Sequence, residues 1–267
     1  VFCPRVNPDV YPNQNLNMPV SIVKKVAEDL RTIKSKSRIS FSGFGEALLH
    51  NGFEEILRTI RSILPENPLE VNTNGDRLDI AKIDSLYAAG LTNLYVNMYD
   101  GPEQIEYFTE MFAKSSAQAG RWKLRAHWEG AMEDYGLTLN NRSGMVVSPE
   151  LGLLPLEEAL DRPCFYPFYK MLVDWDGQVI FCSNDWGREI RVGNVENRSI
   201  SELWLSPEMA EIRKRLMRGD RSIAPCNRCN VHGTLHGGSS YDRIIAHYEK
   251  TGFVKPGEAM TASEINK

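Results

Sequence analysis

The stretch Cys226-Asn227-Arg228-Cys229 sets two thiols three residues apart, and Cys164 and Cys182 precede it in the same half of the chain. Thiolates are soft ligands, and four that converge on one point hold an iron–sulfur cluster or a zinc ion. Between the first two cysteines, Asp174-Trp175-Asp176-Gly177-Gln178 separates two apolar runs and predicts a hairpin turn. We expect this hairpin to deliver both cysteines to the CxxC loop.

A different metal could bind at the same loop. Two histidines follow the cysteine pair, which gives the pattern CxxC-xx-HxxxH, and zinc favours tetrahedral sites of sulfur and nitrogen ligands. Such a site would use Cys226, Cys229, His232 and His236. It would leave Cys164 and Cys182 without a role, and a zinc protein would be colourless where an iron–sulfur protein is brown.

Composition narrows the class of protein. The chain has 267 residues, a formal net charge of −4 and five cysteines, and 42% of its residues are hydrophobic. This length allows one large α/β unit and a small appendage with a real core. The mild acidity predicts no nucleic-acid or membrane partner, and no secretory segment is visible, so we expect a cytoplasmic protein. An odd number of cysteines with a CxxC pair favours metal or redox work over a disulfide frame.

The first half of the chain alternates between apolar-faced helices and short strands. The pattern predicts helices at 19–35, 52–63, 78–89 and 102–116, and strands at 38–42, 69–72, 94–97, 122–127 and 144–148. This alternation predicts a parallel sheet or an α/β barrel with ligand groups at the carboxyl ends of the strands. The turns at 43–46, 73–76 and 97–100 are then expected to open on one rim.

The pattern changes near residue 155, from which we expect a hairpin, a loop and one helix. That helix is predicted to begin at Ser199 and to continue through 207–217, with the basic run Arg213-Lys214-Arg215 as a solvated face. Another helix is expected near 240–250. The tryptophans of this half are expected to fill a small core: Trp175, Trp186 and Trp204.

Three features of the first half combine with the four distant cysteines. Phe2-Cys3 would complete a CxxxCx(aromatic)C motif if two cysteines lay just upstream; Gly43-Phe44-Gly45-Glu46-Ala47 ends one strand, and Asn72-Thr73-Asn74-Gly75 ends the next. Together they resemble the radical S-adenosylmethionine (SAM) enzymes, and the four distant cysteines resemble the twitch or SPASM-like auxiliary-cluster domain of that superfamily. The resemblance implies a partial (β/α)6 TIM-type barrel at 1–152 with its first strand missing, a small α+β twitch domain at 153–235, and a C-terminal helix and tail at 236–267.

The resemblance also implies the cofactors. One 4Fe–4S cluster would bind SAM through its open iron, held by Cys3 and two cysteines upstream of Val1, and an auxiliary 4Fe–4S cluster would be held by the other four cysteines. Because the chain begins with Val and carries one of the three SAM-cluster ligands, we expect a truncated chain that is inactive as given. A flavodoxin- or ferredoxin-type protein is the expected reductant.

Binding residues carry over onto the matching turns. In the family, a GGEP-like turn offers backbone acceptors to the SAM ammonium; here it includes Phe44, Gly45 and Glu46, with Phe44 and Ala47 in place of Gly and Pro, which puts the rigidity of the turn in doubt. Gly45 permits close approach of the backbone, and Glu46 is expected to anchor the turn. The expected contacts to ribose, methionine or adenine are Thr73, Asn74, Asn97 and Phe2.

The spacing of the four cysteines is similar to that of family members that oxidise a ring alcohol of a sugar or aminocyclitol to a ketone. The implied reaction removes a hydrogen atom from the carbinol carbon and a proton from the hydroxyl. The remaining electron is then transferred to the auxiliary cluster. Arg142 is then the candidate catalytic residue, and Asn184 and Asp185 are candidates for binding substrate hydroxyls. Arg142 could equally be a salt-bridged surface residue, and His127 a structural one. Radical modification of a peptide, or a non-catalytic zinc or iron–sulfur protein, are the alternative functions.

Overall fold

The computed structural model describes residues 3–9, 11, 14, 16–128, 140–154 and 156–267. The chain forms two compact units, Asn17–Thr138 and Val1–Leu16 with Leu139–Lys267. The boundaries expected at residues 152 and 235 stay a prediction. No helix within the described ranges has both the length and the apolar character that crossing a membrane requires.

The first unit alternates helices and strands as the sequence predicts, and its elements begin and end within a few residues of the expected positions. They are α1 Val20–Thr32, β1 Ile39–Phe41, α2 Phe53–Ile63, β2 Leu69–Thr73, α3 Ile80–Ala88, β3 Asn93–Met98, α4 Glu103–Ala113 and β4 Trp122–Ala126. Capping contributes to this agreement, because the Asp79 side chain accepts a hydrogen bond from the Lys82 N–H at the start of α3.

The four described strands of this unit form one parallel sheet in the order β1-β2-β3-β4. Val71 pairs with Leu94, and Val96 pairs with Leu124. A sequential order joined by helices is typical of α/β barrels, whereas a doubly wound sheet reverses its order at a switch point. The mixed α/β class with a parallel sheet is therefore confirmed, and the partial barrel stays a proposal.

The two faces of this sheet differ in polarity. Side chains of a strand alternate between faces, and on one face Val71, Leu94 and Val96 are completely buried. They pack in one core with apolar residues of the four helices, including Phe53, Ile60, Leu86 and Phe112. The alternate positions carry polar residues on the opposite face: Ser40, Glu70, Asn72, Tyr95, Asn97 and Arg125.

The second unit combines short strands with helices of 4 to 13 residues. They are α5 Tyr166–Tyr169, β5 Leu172–Val173, β6 Gln178–Ile180, β7 Arg191–Asn194, α6 Ile200–Trp204, α7 Pro207–Met217, α8 Gly238–Lys250 and α9 Ala262–Ile265. Strands β5, β6 and β7 form an antiparallel sheet in sequence order. The expected hairpin joins β5 to β6, and Gly177 adopts the left-handed conformation that its turn requires, with φ of +79°.

Two expectations for this unit are wrong. Residues 144–148 are not a strand: Gly144, with φ of 84°, belongs to a turn at 142–145, and Ser148 forms an isolated bridge with Leu153. The helix that begins after Ser199 stops at Trp204, and a second helix begins at Pro207. The Ser206 side chain caps this second helix, and Pro207 at its first position cannot donate to the helix before it.

The basic run in α7 also differs from expectation. Arg213 is completely buried, and its guanidinium donates to Pro167 O at 2.9 Å and to Trp204 O at 2.7 Å. Around it, α8 packs in the same core as α5 and α7 through Phe165, Phe168, Met217, Tyr241 and Ile245. Trp186 is buried as predicted, but Trp175 is 36% exposed at the hairpin and does not fill the core.

Candidate functional site

Four thiols of the second unit come together. Cys164 lies just before α5, and Cys182 lies just after β6. Cys226 begins a 3₁₀ turn, Cys226–Arg228, and Cys229 is the residue that follows this turn. All four are free, and every pair among them is close enough for the two thiols to interact electrostatically. The four thiols therefore come together as expected, but only Cys182 directly adjoins the hairpin, because α5 separates Cys164 from β5.

Burial disfavours the ionised form of these cysteine thiols. Cys182, Cys226 and Cys229 are each 9% exposed. Burial raises the pKa of Cys182 to about 12, with the neighbouring Cys164 thiol adding to the rise, and burial also raises the pKa of Cys164 and of Cys226. Several neighbouring thiolates in a buried site need positive charge to compensate them. Iron ions of a cluster bound by four cysteines supply that charge, so this donor set fits a 4Fe–4S cluster.

The arrangement differs from a single-ion site. Among the described residues, no group of three or more His, Cys, Asp or Glu side chains is placed to share one metal ion. Cysteines that bind a cubane each contact a different iron, so their sulfurs lie farther apart than ligands of one zinc ion. The zinc alternative gains no support, since His236 is exposed and the Nδ1 atom of His232 lies 3.1 Å from Thr234 Oγ1.

Asn184 lies against one of the sulfurs. Its backbone N–H donates to Cys182 Sγ at 3.4 Å, and its side-chain Nδ2 is 3.9 Å from the same sulfur. The residue is 4% exposed and also hydrogen-bonds the Tyr166 side chain. An N–H group directed at sulfur stabilises a thiolate ligand. The structure therefore places Asn184 directly beside the Cys182 sulfur.

Asp185 is occupied by the backbone that follows it. Its Oδ1 accepts a hydrogen bond from Glu189 N at 3.0 Å, and its Oδ2 accepts one from Ile190 N at 2.9 Å. The residue is 1% exposed. Both oxygens thus hold the loop between β6 and β7, which gives the predicted contact with substrate hydroxyls no support.

Arg142 lies on a loop that is fastened to the CxxC segment. Asn141 donates from Nδ2 to Arg228 O at 2.7 Å, and its backbone N–H donates to Asn230 Oδ1 at 2.8 Å. Arg142 Nε is buried without a hydrogen-bond partner in the described part of the chain. The arginine also interacts electrostatically with Lys170. An unsatisfied guanidinium nitrogen is the kind of group that a bound ligand would satisfy.

Two further cations near the thiols have no signal in the sequence. Lys170 interacts electrostatically with Cys164 and Cys182, and its Nζ lies 3.9 Å from the centre of the Tyr166 ring. Arg221 interacts with Cys164 and Cys226. Both residues stand outside any recognisable motif, and only the packing of their segments around the cysteines identifies them.

The turn after β1 belongs to the first unit. Phe44 is buried, Gly45 is exposed and Glu46 is half-buried. Glu46 Oε1 accepts a hydrogen bond from Leu48 N at 3.0 Å, and its Oε2 accepts one from Asn74 N at 3.2 Å. The carboxylate therefore anchors this turn and joins it to the turn after β2, while the exposed Gly45 backbone is left accessible.

Polar groups continue along the same edge of the sheet. Thr73 Oγ1 accepts from Gly75 N at 3.1 Å, and Asn97 donates from Nδ2 to Thr73 O at 3.4 Å. The Oδ1 atom of Asn97 lies 3.0 Å from His127 Nε2. Asn74 is half-buried and bonds to Asp76. The rim expected from the sequence is thus brought together by hydrogen bonds, and His127 is part of it.

The remaining predicted residues lie at the beginning of the chain. Cys3 is free and half-buried, and it precedes a 3₁₀ turn, Pro4–Val6. Phe2 lies outside the described residues. Their roles in binding a SAM cluster and adenine stay predictions.

Comparisons with known proteins agree with this geometry. Residues 164–230 match the family model of the SPASM iron–sulfur cluster-binding domain. Over 229 residues the chain is 25% identical to the S-adenosyl-L-methionine-dependent 2-deoxy-scyllo-inosamine dehydrogenase of Niallia circulans, and the match covers 85% of this chain and 86% of that protein.

Solved structures show the same fold. BtrN in complex with AdoMet and 2-DOIA matches with a TM-score of 0.68 at 22% identity, over 86% of this chain and 87% of BtrN. BtrN in an open conformation matches with a TM-score of 0.58 at 20% identity, over 80% of each chain. Native anSMEcpe with bound AdoMet matches with a TM-score of 0.50 at 13% identity, over 88% of each chain. The chain is thus similar over most of its length to an S-adenosyl-L-methionine-dependent dehydrogenase, and its residues 164–230 match the SPASM iron–sulfur cluster-binding domain.

Proposed function

We propose that the chain is a radical SAM dehydrogenase that oxidises an alcohol of a sugar-like or aminocyclitol ring to a ketone. The observation that carries the proposal is the convergence of four free, largely buried thiols in the residues that match the SPASM domain. The related dehydrogenase of Niallia circulans, whose name specifies an aminocyclitol substrate, supports the reaction class.

The oxidation removes one hydrogen atom, one proton and one electron from the alcohol. SAM held at a 4Fe–4S cluster would supply the acceptor of the hydrogen atom, and an auxiliary cluster would supply the acceptor of the electron. Cys164, Cys182, Cys226 and Cys229 would fill the four protein positions of the auxiliary cluster. That saturation favours electron transfer over direct binding of the substrate to iron.

The first unit is proposed as the SAM-binding part, an incomplete (β/α)6 barrel whose strands follow one another in order. Glu46 holds the turn after β1 by accepting two backbone hydrogen bonds. This leaves the Gly45 backbone to contact the methionine end of SAM. Thr73, Asn74 and Asn97 would contact the rest of the cofactor from the same edge of the sheet.

The polar face of the sheet suits a hydrophilic ring. Arg125 donates from Nη1 to Asn72 Oδ1 at 2.7 Å, and its guanidinium carbon lies 4.0 Å from the centre of the Tyr95 ring. Tyr95 in turn donates to Glu70 Oε1 at 3.3 Å. Alternating donors and acceptors of this kind match the hydroxyl and amino groups of a sugar-like molecule and would be poorly matched by an apolar one.

Arg142 is proposed to bind the reacting oxygen. A guanidinium is a cation with planar N–H donors, so it would stabilise the substrate oxygen as the hydroxyl proton leaves. Asn184 is proposed to act through the Cys182 sulfur, and its contact with substrate hydroxyls stays a prediction. A flavodoxin- or ferredoxin-type protein remains the proposed reductant.

The decisive experiment uses the native protein, reconstituted anaerobically with iron and sulfide. Incubation with SAM, a reductant and 2-deoxy-scyllo-inosamine or related aminocyclitols should give a ketone with one 5′-deoxyadenosine per turnover. Cys226→Ser is the control that removes one auxiliary ligand and should abolish the ketone. Product from a peptide but none from any ring alcohol would overturn the proposed substrate class.

A further inference from the structure

Arg221 is a buried cation at the edge of the thiol group. The residue is 2% exposed. No carboxylate among the described residues pairs with its charge. Its position lies between α7 and the CxxC turn, in a part of the sequence that carries no motif. A buried charge without a carboxylate partner is costly unless other groups satisfy it, so its surroundings indicate why it is retained.

The guanidinium is satisfied by backbone carbonyls of two segments. Nε donates to Arg162 O at 2.9 Å, and Nη2 donates to Pro163 O at 2.8 Å, just before Cys164. Nη1 donates to Val231 O at 2.7 Å, and Nη2 also donates to His232 O at 2.9 Å, shortly after Cys229. One side chain therefore fastens the segment that carries Cys164 to the segment that continues from the CxxC pair.

Gly233 shows how close this clamp lies to a sulfur. A Cβ atom built on Gly233 would lie 2.4 Å from Arg221 Nη2 and 3.0 Å from Cys164 Sγ. The Gly233 carbonyl also accepts a hydrogen bond from Phe165 N at 2.8 Å. The guanidinium and the sulfur thus both border a space that only glycine leaves open. Arg221 also interacts electrostatically with Cys164 and Cys226.

We propose that Arg221 is a positioning residue for the auxiliary cluster: it holds the Cys164 segment against the CxxC segment and places a permanent positive charge beside the thiolates. The proposal rests on the cluster assigned under the proposed function. A 4Fe–4S cluster with four cysteinates carries net negative charge, so a nearby cation favours its reduced form and raises its midpoint potential. The positioning of the cysteines can then be followed by the rate of iron release, and the effect of the charge by the midpoint potential.

The test uses variants in a Cys3→Ala background, in which the four clustered cysteines are the only thiols among residues 1–267. Each is reconstituted anaerobically, and three quantities are measured: iron and sulfide per chain, the rate of iron release to a chelator, and the midpoint potential. Arg221→Met should release iron faster and should lower the potential. Loss of an outer partner of a metal ligand costs about 10- to 100-fold in metal affinity, and we expect the release rate to rise by a similar factor. Arg221→Lys should also release iron faster, because an ammonium cannot span four carbonyls, but should keep the potential near that of the parent.

Two controls separate this role from general stability. Arg213 is the matched buried arginine of the same unit, bonded to carbonyls of residues 167 and 204, and Arg213→Met should lower the melting temperature without changing the potential. Gly233→Ala should speed iron release by displacing the guanidinium. Gly252→Ala should not, because Gly252 has φ of +74° like the left-handed Gly233 at +93° but no atom within 4 Å of its Cβ position.

The outcomes distinguish the two levels of the proposal. A Cys3→Ala protein that takes up no iron overturns the auxiliary cluster, and with it the proposed function and this inference. A protein that holds its cluster but shows parental iron release and potential in both Arg221 variants overturns the role of Arg221 alone. If Arg221→Met does not fold, equal iron release from the Gly233 and Gly252 variants likewise overturns the role of Arg221.

Discussion

Glu46 Oε2 accepts a hydrogen bond from the backbone N–H of Asn74 at 3.2 Å, so one carboxylate joins the turn after β1 to the turn after β2. Its second oxygen accepts from Leu48 N. We expect Glu46→Gln to lower the free energy of unfolding by about 1–2 kcal/mol and to weaken SAM binding, because an amide presents one acceptor where two are needed. Urea unfolding and equilibrium dialysis with SAM measure both effects.

The control for Glu46 is Glu66→Gln, which changes a glutamate whose side chain is 80% exposed in the same unit. This variant should leave both quantities near those of the parent. If Glu46→Gln binds SAM with parental affinity, the carboxylate does not organise the cofactor turn.

Gly75 ends the rim that Glu46 supports, and its φ is +87°. A Cβ there would lie 2.4 Å from Phe108 Cζ and 3.1 Å from Val96 Cγ1. In Gly75→Ala, the alanine would be strained in the left-handed conformation and its Cβ would overpack the core. Together these effects should lower the free energy of unfolding by about 2–5 kcal/mol. Gly120→Ala is the matched control, since Gly120 has φ of +83° but no neighbour within 4 Å of its Cβ position. Thermal unfolding of the two variants should show a larger loss of stability for Gly75→Ala, and the difference measures the cost of the steric overlap. Equal losses would contradict a steric contribution.

The contrast between β3 and the 140–144 loop explains what the sequence could predict. In β3, Leu94, Val96 and Met98 alternate with polar residues, so the strand and its buried face follow from a period of two. Arg142 and Ser143 adopt positive φ without being glycine. That conformation is stabilised by contacts of Asn141 with residues far along the chain, and no local pattern encodes it.

Long-range pairing limits the site in the same way. The convergence of the four thiols could be predicted from the sequence, because cysteines with a CxxC pair in a chain of this kind usually bind a metal or a cluster. Arg213 and Arg221 lie among charged neighbours and resemble solvated residues in the sequence. Only the tertiary structure shows that both are buried and bonded to carbonyls of distant segments.

Arg142 offers a test of the catalytic proposal. Arg142→Ala should remove ketone formation but leave cleavage of SAM, because the side chain would act on the substrate oxygen and not on the cofactor. Arg142→Lys should recover part of the activity, since it keeps the charge while losing the planar donors. The ratio of 5′-deoxyadenosine to ketone, measured by chromatography, should rise far above one in the alanine variant. An unchanged ratio would reject the role.

The raised pKa of Tyr241 predicts how the stability of the second unit changes with pH in the alkaline range. Burial raises the pKa of Tyr241 to about 12, with Asp242 adding to the rise, while the phenol of an unfolded chain titrates near about 10. Between these values the unfolded state has lost a proton that the folded state keeps. The free energy of unfolding contributed by this group is therefore fully present below about pH 10 and falls as pH rises towards 12, by about 1.4 kcal/mol per pH unit at most.

Tyr241→Phe should reduce this alkaline slope and lower the stability at pH 8 by about 1 kcal/mol, because the hydroxyl no longer donates to Met260 O at 3.1 Å. Tyr107→Phe, at a position that is 60% exposed, should leave the slope unchanged. Denaturant unfolding at several pH values measures the slope. Parental behaviour of the Tyr241 variant would assign the alkaline loss to other groups.

Asp185 separates a structural role from a substrate contact. Because its two oxygens accept from the N–H groups of Glu189 and Ile190, Asp185→Asn must turn an amide donor towards one of those N–H groups. We expect a loss of about 1–3 kcal/mol in the free energy of unfolding and a KM for the ring alcohol close to that of the parent. Asp176→Asn, at the neighbouring hairpin, is the control for removing one negative charge. A large rise in KM with parental stability would show instead that the Asp185 carboxylate binds substrate hydroxyls, and the loop bonds would then be secondary.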